Sequence, residues 1–249
     1  MSGKIIPFVQ IAEPNIETLF RSFLHEEEQR LKQARTLLRY QQIIELLRRY
    51  LNGYAYTTLT KPEAVLFRRY TSEKREDSRT FCEIFGPDQI LENLPTFLRY
   101  FIIEKVLAPE QFKRAAGTLT KNLTAWLKKE GHITRQQAAW GKELGAKAVR
   151  NIPKAERATD IVFHSIQETL MPSDFTMRDY LGFHHFVITD VNTGIIWVRA
   201  YDDPDQSILP IAIPQEASEL LEPQWEIICS VARVGQDWRI IEIGNIYPG

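Results

Sequence analysis

Along the first two-thirds of the chain, apolar residues recur at steps of three and four, the spacing of one face of an α-helix. After about residue 182 they alternate with polar residues or run in short blocks, the spacing of strands. The first periodic stretch runs from about Ile16 to Leu51 behind Pro14-Asn15, and Asn15 is a candidate cap because its side-chain oxygen can accept a first-turn N–H. Leu37, Tyr40, Ile44, Leu47 and Leu51 share one stripe, while Arg35, Arg39, Gln42 and Arg49 share the opposite one, which Leu46 interrupts. So long a stretch is expected to break around residues 31–36 and to stop at Asn52-Gly53.

Pro62 to Tyr70 predicts a short helix, and the charged run Ser72 to Asp77 a solvated loop. Pro95 fits the first turn of a helix over roughly 95–106, where its missing N–H costs nothing. Phe97, Leu98, Phe101, Ile102, Ile103 and Val106 leave that helix little polar surface and mark it as central. Two further helices follow Pro109 and Thr118, the second ending at Gly131. Residues 134–148 and about 154–170 are read as two more, separated by Asn151-Ile152-Pro153.

The last 70 or so residues predict five short strands. Phe183 to Thr189, the turn Asp190 to Gly194 and Ile195 to Arg199 form a strand–turn–strand unit; Ile208 to Ile213 is the third strand, ended by Pro214. Glu216 to Leu221 reads as a helical turn, and Trp225 to Val234 and Trp238 to Ile246 as two strands joined at Gly235-Gln236-Asp237. Five short strands are too few for a two-sheet sandwich, and closing them into a barrel removes exposed edges. The expected fold is therefore α+β in two domains. A helical bundle covers 1–172, with a possible sub-boundary near 82–87, and a five-stranded antiparallel β-barrel, SH3-like or OB-like, covers 182–249.

Charge changes the picture more than composition does. The 249 residues carry a net charge of −1, yet residues 1–157 sum to +9 and residues 158–249 to −10. Residues 99–157 alone hold 13 Lys and Arg against 5 Asp and Glu. Such asymmetry points to a polyanion-binding half, or to two halves with separate solubilising surfaces that attract each other. At 44% hydrophobic and 25% charged the chain is globular, and no apolar run approaches the ~20 residues of a bilayer span. The first seven residues lack a secretory apolar core, and the two cysteines, Cys82 and Cys229, have no metal-type spacing. The expected location is the cytoplasm, with no membrane partner.

Catalytic signatures are missing. There is no nucleophile elbow, phosphate-cradling loop, dinucleotide fingerprint or His-Glu-Xaa-Xaa-His, and the 12 glycines do not cluster. His25, His132, His164, His184 and His185 have no second ligand at metal spacing, and adjacent His184 and His185 point to opposite faces of a strand. Asp202-Asp203-Xaa-Asp205 lacks the glycine and distal glutamate of a calcium loop and reads as solvated. No cofactor, metal or enzymatic activity is expected, although acidic residues beside His184 or His185 would suit acid–base work.

The segment Pro109 to Ile133 resembles a helix-turn-helix, with a turn at Gly117, Thr118 as cap and Phe112, Ala116, Leu123 and Trp126 as core. Its closing Lys-Glu-Gly-His-Ile is similar to the end of a recognition helix. Lys113 stands where such motifs need a small residue, and two bundle helices joined by a glycine turn are the alternative. Gln33 to Tyr40 followed by Ile43 to Leu51 resembles the opening of the SAM-like core-binding domain of phage integrases and other tyrosine recombinases. That resemblance implies a helical DNA-binding fold. The family's Arg…His-Xaa-Xaa-Arg…Tyr constellation has no counterpart here, so strand cleavage is not implied.

These readings converge on a non-catalytic nucleic-acid-binding protein, DNA being the expected ligand. The candidate contacts are Lys105, Lys113, Arg114, Lys121, Asn122, Thr124, Lys128, Lys129 and Arg135. The alternative is an interaction or assembly protein, whose acidic strand region docks on a basic partner or on another copy of the chain.

Overall fold

The computed structural model describes residues 10–31, 33–71, 77–167, 180–202 and 208–249. Helices fill the first two-thirds and a five-stranded mixed sheet the remainder. Residues 72–76 of the expected Ser72–Asp77 loop, the linker between the two regions and most of the 202–205 acidic cluster fall outside those residues.

Contacts divide the chain into two compact units, Met1–Phe101 with Ala115–Lys147 and Ile102–Arg114 with Ala148–Gly249. The first unit opens with α1 (Ile16–Arg30), where Asn15 Oδ1 accepts the Thr18 N–H at 2.9 Å. Next comes α2 (Ala34–Tyr54), which runs one residue past the expected Asn52-Gly53 stop before a 3₁₀ turn at Ala55–Thr58. Tyr40, Ile44, Leu47 and Leu51 are buried as the stripe requires, and Leu37 is half-buried. Helix α3 (Lys61–Tyr70) starts at a Thr60/Glu63 capping box, and α4 (Phe81–Ile84) at a second one, Thr80/Glu83.

Helix α5 (Pro87–Thr96) has Pro95 inside it rather than in its first turn, and the chain continues as π-helical turns over Phe97–Lys105. Proline removes a donor from the α ladder, and the wider π-helical turns begin two residues later. Phe97, Leu98, Ile102, Ile103 and Val106 are buried, as their density implies.

Two expected turns are absent. Helix α6 (Glu110–Lys129) passes straight through Gly117, and α7 (Arg135–Gln167) runs 33 residues through Pro153. Gly117 marks a close approach instead of a turn. A Cβ placed on Gly145 would lie 2.5 Å from the Gly117 carbonyl oxygen, and one on Gly141 would lie 2.4 Å from Thr124 Cγ2. The two helices therefore approach closely at α7 glycines one turn apart, against backbone at Gly145 and against the Thr124 side chain at Gly141.

In the second unit, β1 (Tyr180–Asn192), β2 (Ile195–Ala200), β3 (Leu209–Ala212), β4 (Glu226–Val234) and β5 (Asp237–Tyr247) follow the expected order. Helix α8 (Gln215–Ser218) lies between β3 and β4. The ladders join β1 to β2, β2 to β3, β3 to β5, β5 to β4 and β4 to β1. The antiparallel expectation is corrected at one pair: β3 and β5 are parallel, because β4 reverses the chain between them. Gly194 turns β1 into β2 at φ +76°, and its N–H donates to Ser218 Oγ at 3.0 Å, which ties α8 to the turn.

Beneath the sheet, Phe186, Ile188, Ile196, Val198, Ile211, Trp225, Ile227 and Val231 bury together with Ala155, Ala158 and Val162 of α7. The strands thus share their core with a helix, not only with one another. Among the described residues no helix is long and apolar enough to cross a membrane.

Candidate nucleic-acid interface

Of the nine expected contact residues, two are buried and several others are held by neighbouring side chains. Lys113 is 7% exposed, ion-paired with Glu156 and 3.5 Å from the Ile103 carbonyl. Thr124 is buried and donates to the Thr120 carbonyl at 2.9 Å. Asn122 donates to Tyr40 Oη at 2.7 Å, and the Lys121 stem lies where a Cβ on Gly145 would fall. Lys129 meets Glu26 at 2.5 Å, beside the Trp126 indole N–H, which donates to the same carboxylate at 2.8 Å. Lys105 pairs with Glu104 at 2.6 Å. Arg114, Lys128 and Arg135 are exposed and have no ion partner among the described residues. The α6 positions assigned to a groove are thus largely the seam by which α6 is held.

A different surface gathers chemistry, on the side of the sheet away from its core. Along β2, Ile196, Val198 and Ala200 point inward and are buried, so Ile195, Trp197 and Arg199 face outward. Tyr201 continues this outward row: its N–H donates to the His185 carbonyl at 2.8 Å, and it is 56% exposed. The row Trp197, Arg199, Tyr201 spans about 13 Å.

On the neighbouring strand, Val187 pairs with Arg199, and the next outward residue is His185. Arg199 and His185 are therefore diagonal neighbours on one face, with Cα atoms about 7–8 Å apart. The imidazole stacks flat on the Tyr201 ring, centroids 4.5 Å apart and planes 3° from parallel. Its Nε2 lies 2.7 Å from Glu226 Oε2. Glu226 and Tyr247 pair across β4 and β5, both buried, and Tyr247 Oη donates to Glu104 at 3.2 Å. Burial, reinforced by the Glu104 and Glu226 carboxylates and opposed by the Asn245 hydrogen bond, pushes the Tyr247 phenol up to about 12. Lys105 holds the Glu104 carboxyl below its ordinary range. His184 is exposed, and the two adjacent histidines have different surroundings.

This face was outside the expected set. Its signal was the alternation in Ile195 to Tyr201, where the non-core positions are isoleucine, tryptophan, arginine and tyrosine. The region is acidic as a whole, and that total masks the one outward arginine of β2. Among the described residues no cluster of His, Cys, Asp and Glu is arranged to hold a metal ion. No family model matches the chain, and no curated protein is significantly similar to it.

Proposed function

We propose that the chain binds single-stranded nucleic acid without cleaving it, and that the outer face of β2 is the contact surface. The observation that carries this reading is the outward row Trp197, Arg199, Tyr201, in which Tyr201 is exposed and Trp197 and Arg199 are half-buried. Aromatic rings stack on bases of any sequence, and an arginine among them meets the phosphates, which is the physics of sequence-tolerant single-strand binding.

The strand order supports it. Ladders running β1-β2-β3-β5-β4 and back to β1, a parallel β3–β5 pair and a helix between β3 and β4 suit a small OB-like barrel. In that architecture the face of strands 2 and 3 is a recurrent site for oligonucleotides. The acidic balance does not oppose a local contact. Residues 158–249 contain four basic residues, and Arg199, Arg233 and Arg239 all lie on strands.

Ultraviolet cross-linking of the full chain to a 5-iodouridine-substituted single strand, followed by peptide mass spectrometry, tests the location. Cross-links are expected at Trp197 and Tyr201. Cross-links confined to α6 or α7 would place the contact on the helices and overturn the reading.

A further inference from the structure

We infer that His185 makes this face prefer ribose to deoxyribose, an inference that rests on nucleic acid occupying the β2 face. Glu226 is 7% exposed, and a carboxylate only accepts, so the Nε2 it holds at 2.7 Å carries the proton. In the neutral ring the other nitrogen, Nδ1, is then a lone-pair acceptor. Nδ1 has no hydrogen-bond partner among the described residues, and the His185 side chain is 30% exposed. The ring is held in place by the Glu226 contact and by Tyr201, which covers one face, while the Tyr247 ring is inclined at 62° with its centroid 6.4 Å away. With the ring neutral, the result is a held acceptor beside a stacking ring and diagonal to Arg199.

A single strand offers few donors to such an acceptor. Phosphate and ring oxygens only accept, and base N–H groups change with sequence. The ribose 2′-hydroxyl is a donor present at every nucleotide of RNA and absent from DNA. A face that stacks bases without regard to sequence and holds one fixed acceptor therefore selects RNA.

The test is fluorescence anisotropy of the full chain at pH 8 with three labelled 12-mers: oligouridylate, its 2′-deoxy counterpart and its 2′-O-methyl counterpart. One added hydrogen bond predicts RNA binding about 3- to 10-fold tighter than DNA. The 2′-O-methyl strand, which keeps the ribose but loses the donor, is expected to bind like DNA. His185→Phe, which retains an aromatic ring against Tyr201, should remove the preference, so that RNA and DNA bind with equal affinity. Equal affinity of the wild type for all three strands overturns the inference and leaves the binding reading standing. Failure of every strand to bind overturns both. The 2′-O-methyl comparison needs no variant, so it decides the matter even where His185→Phe does not fold.

Discussion

Lys113 shows how one residue changes meaning between sequence and structure. As a cation in a basic segment it is a phosphate contact; as a buried amine paired with Glu156 it holds the start of α6 to α7. Removing it leaves a carboxylate that is still a quarter exposed, so Lys113→Met is expected to cost about 1–3 kcal/mol in denaturant unfolding. Its affinity for a single strand should stay unchanged. The cysteines are simpler. Burial pushes both the Cys82 and Cys229 thiols up to about 12, so native protein at pH 8 should resist iodoacetamide while unfolded protein is alkylated twice. Tyr247 links the sheet face to pH. Its phenol ionises near 10 when unfolded and near 12 when folded, so the stability it contributes is complete below pH 10 and lost as pH rises to 12. Tyr247→Phe should flatten the decline of stability across that window.

At the scale of elements, most boundaries were legible because they depend on local chemistry. Asn15 caps α1, a break separates α1 from α2, and the alternation of Phe183 to Ile246 reproduces five strands in order. The differences share a cause: glycine and proline suggest local punctuation in the sequence, while tertiary packing decides their role. Gly117 lies in a helix because α7 needs its backbone near, and Pro153 is accommodated within a helix of 33 residues. Gly145→Ala would place a methyl group 2.5 Å from a backbone oxygen that cannot swing aside, and is expected to destabilise by about 1–3 kcal/mol. Gly53, within α2 and with nothing near its missing Cβ, gives the opposite sign: Gly53→Ala should stabilise by about 0.5–1 kcal/mol. Thermal and denaturant unfolding of the two variants checks both.

For the whole molecule, the charge asymmetry was legible but its consequence was not. A net charge counts residues; a binding surface depends on which of them remain unpaired. Of the expected cations, Lys113, Lys129 and Lys105 are satisfied by Glu156, Glu26 and Glu104, none of which is near its partner in sequence except Glu104. Long-range pairing of that kind has no periodicity to announce it. The β2 face was hidden for the converse reason, a few outward residues in a region whose total is acidic. The measurement that most directly tests its role is the salt dependence of single-strand affinity for the wild type, Arg199→Gln, Tyr201→Ala and Lys128→Gln/Arg135→Gln. Arg199→Gln is expected to make the slope of log affinity against log salt shallower by about 0.7, the share of one phosphate. Tyr201→Ala should lower affinity about 10-fold at unchanged slope, as loss of one stacked base requires. The Lys128/Arg135 pair should behave as the wild type. If that pair alone reduces the slope, and Arg199 and Tyr201 can be replaced without effect, nucleic acid is held by the helices and the sheet face is not the binding surface.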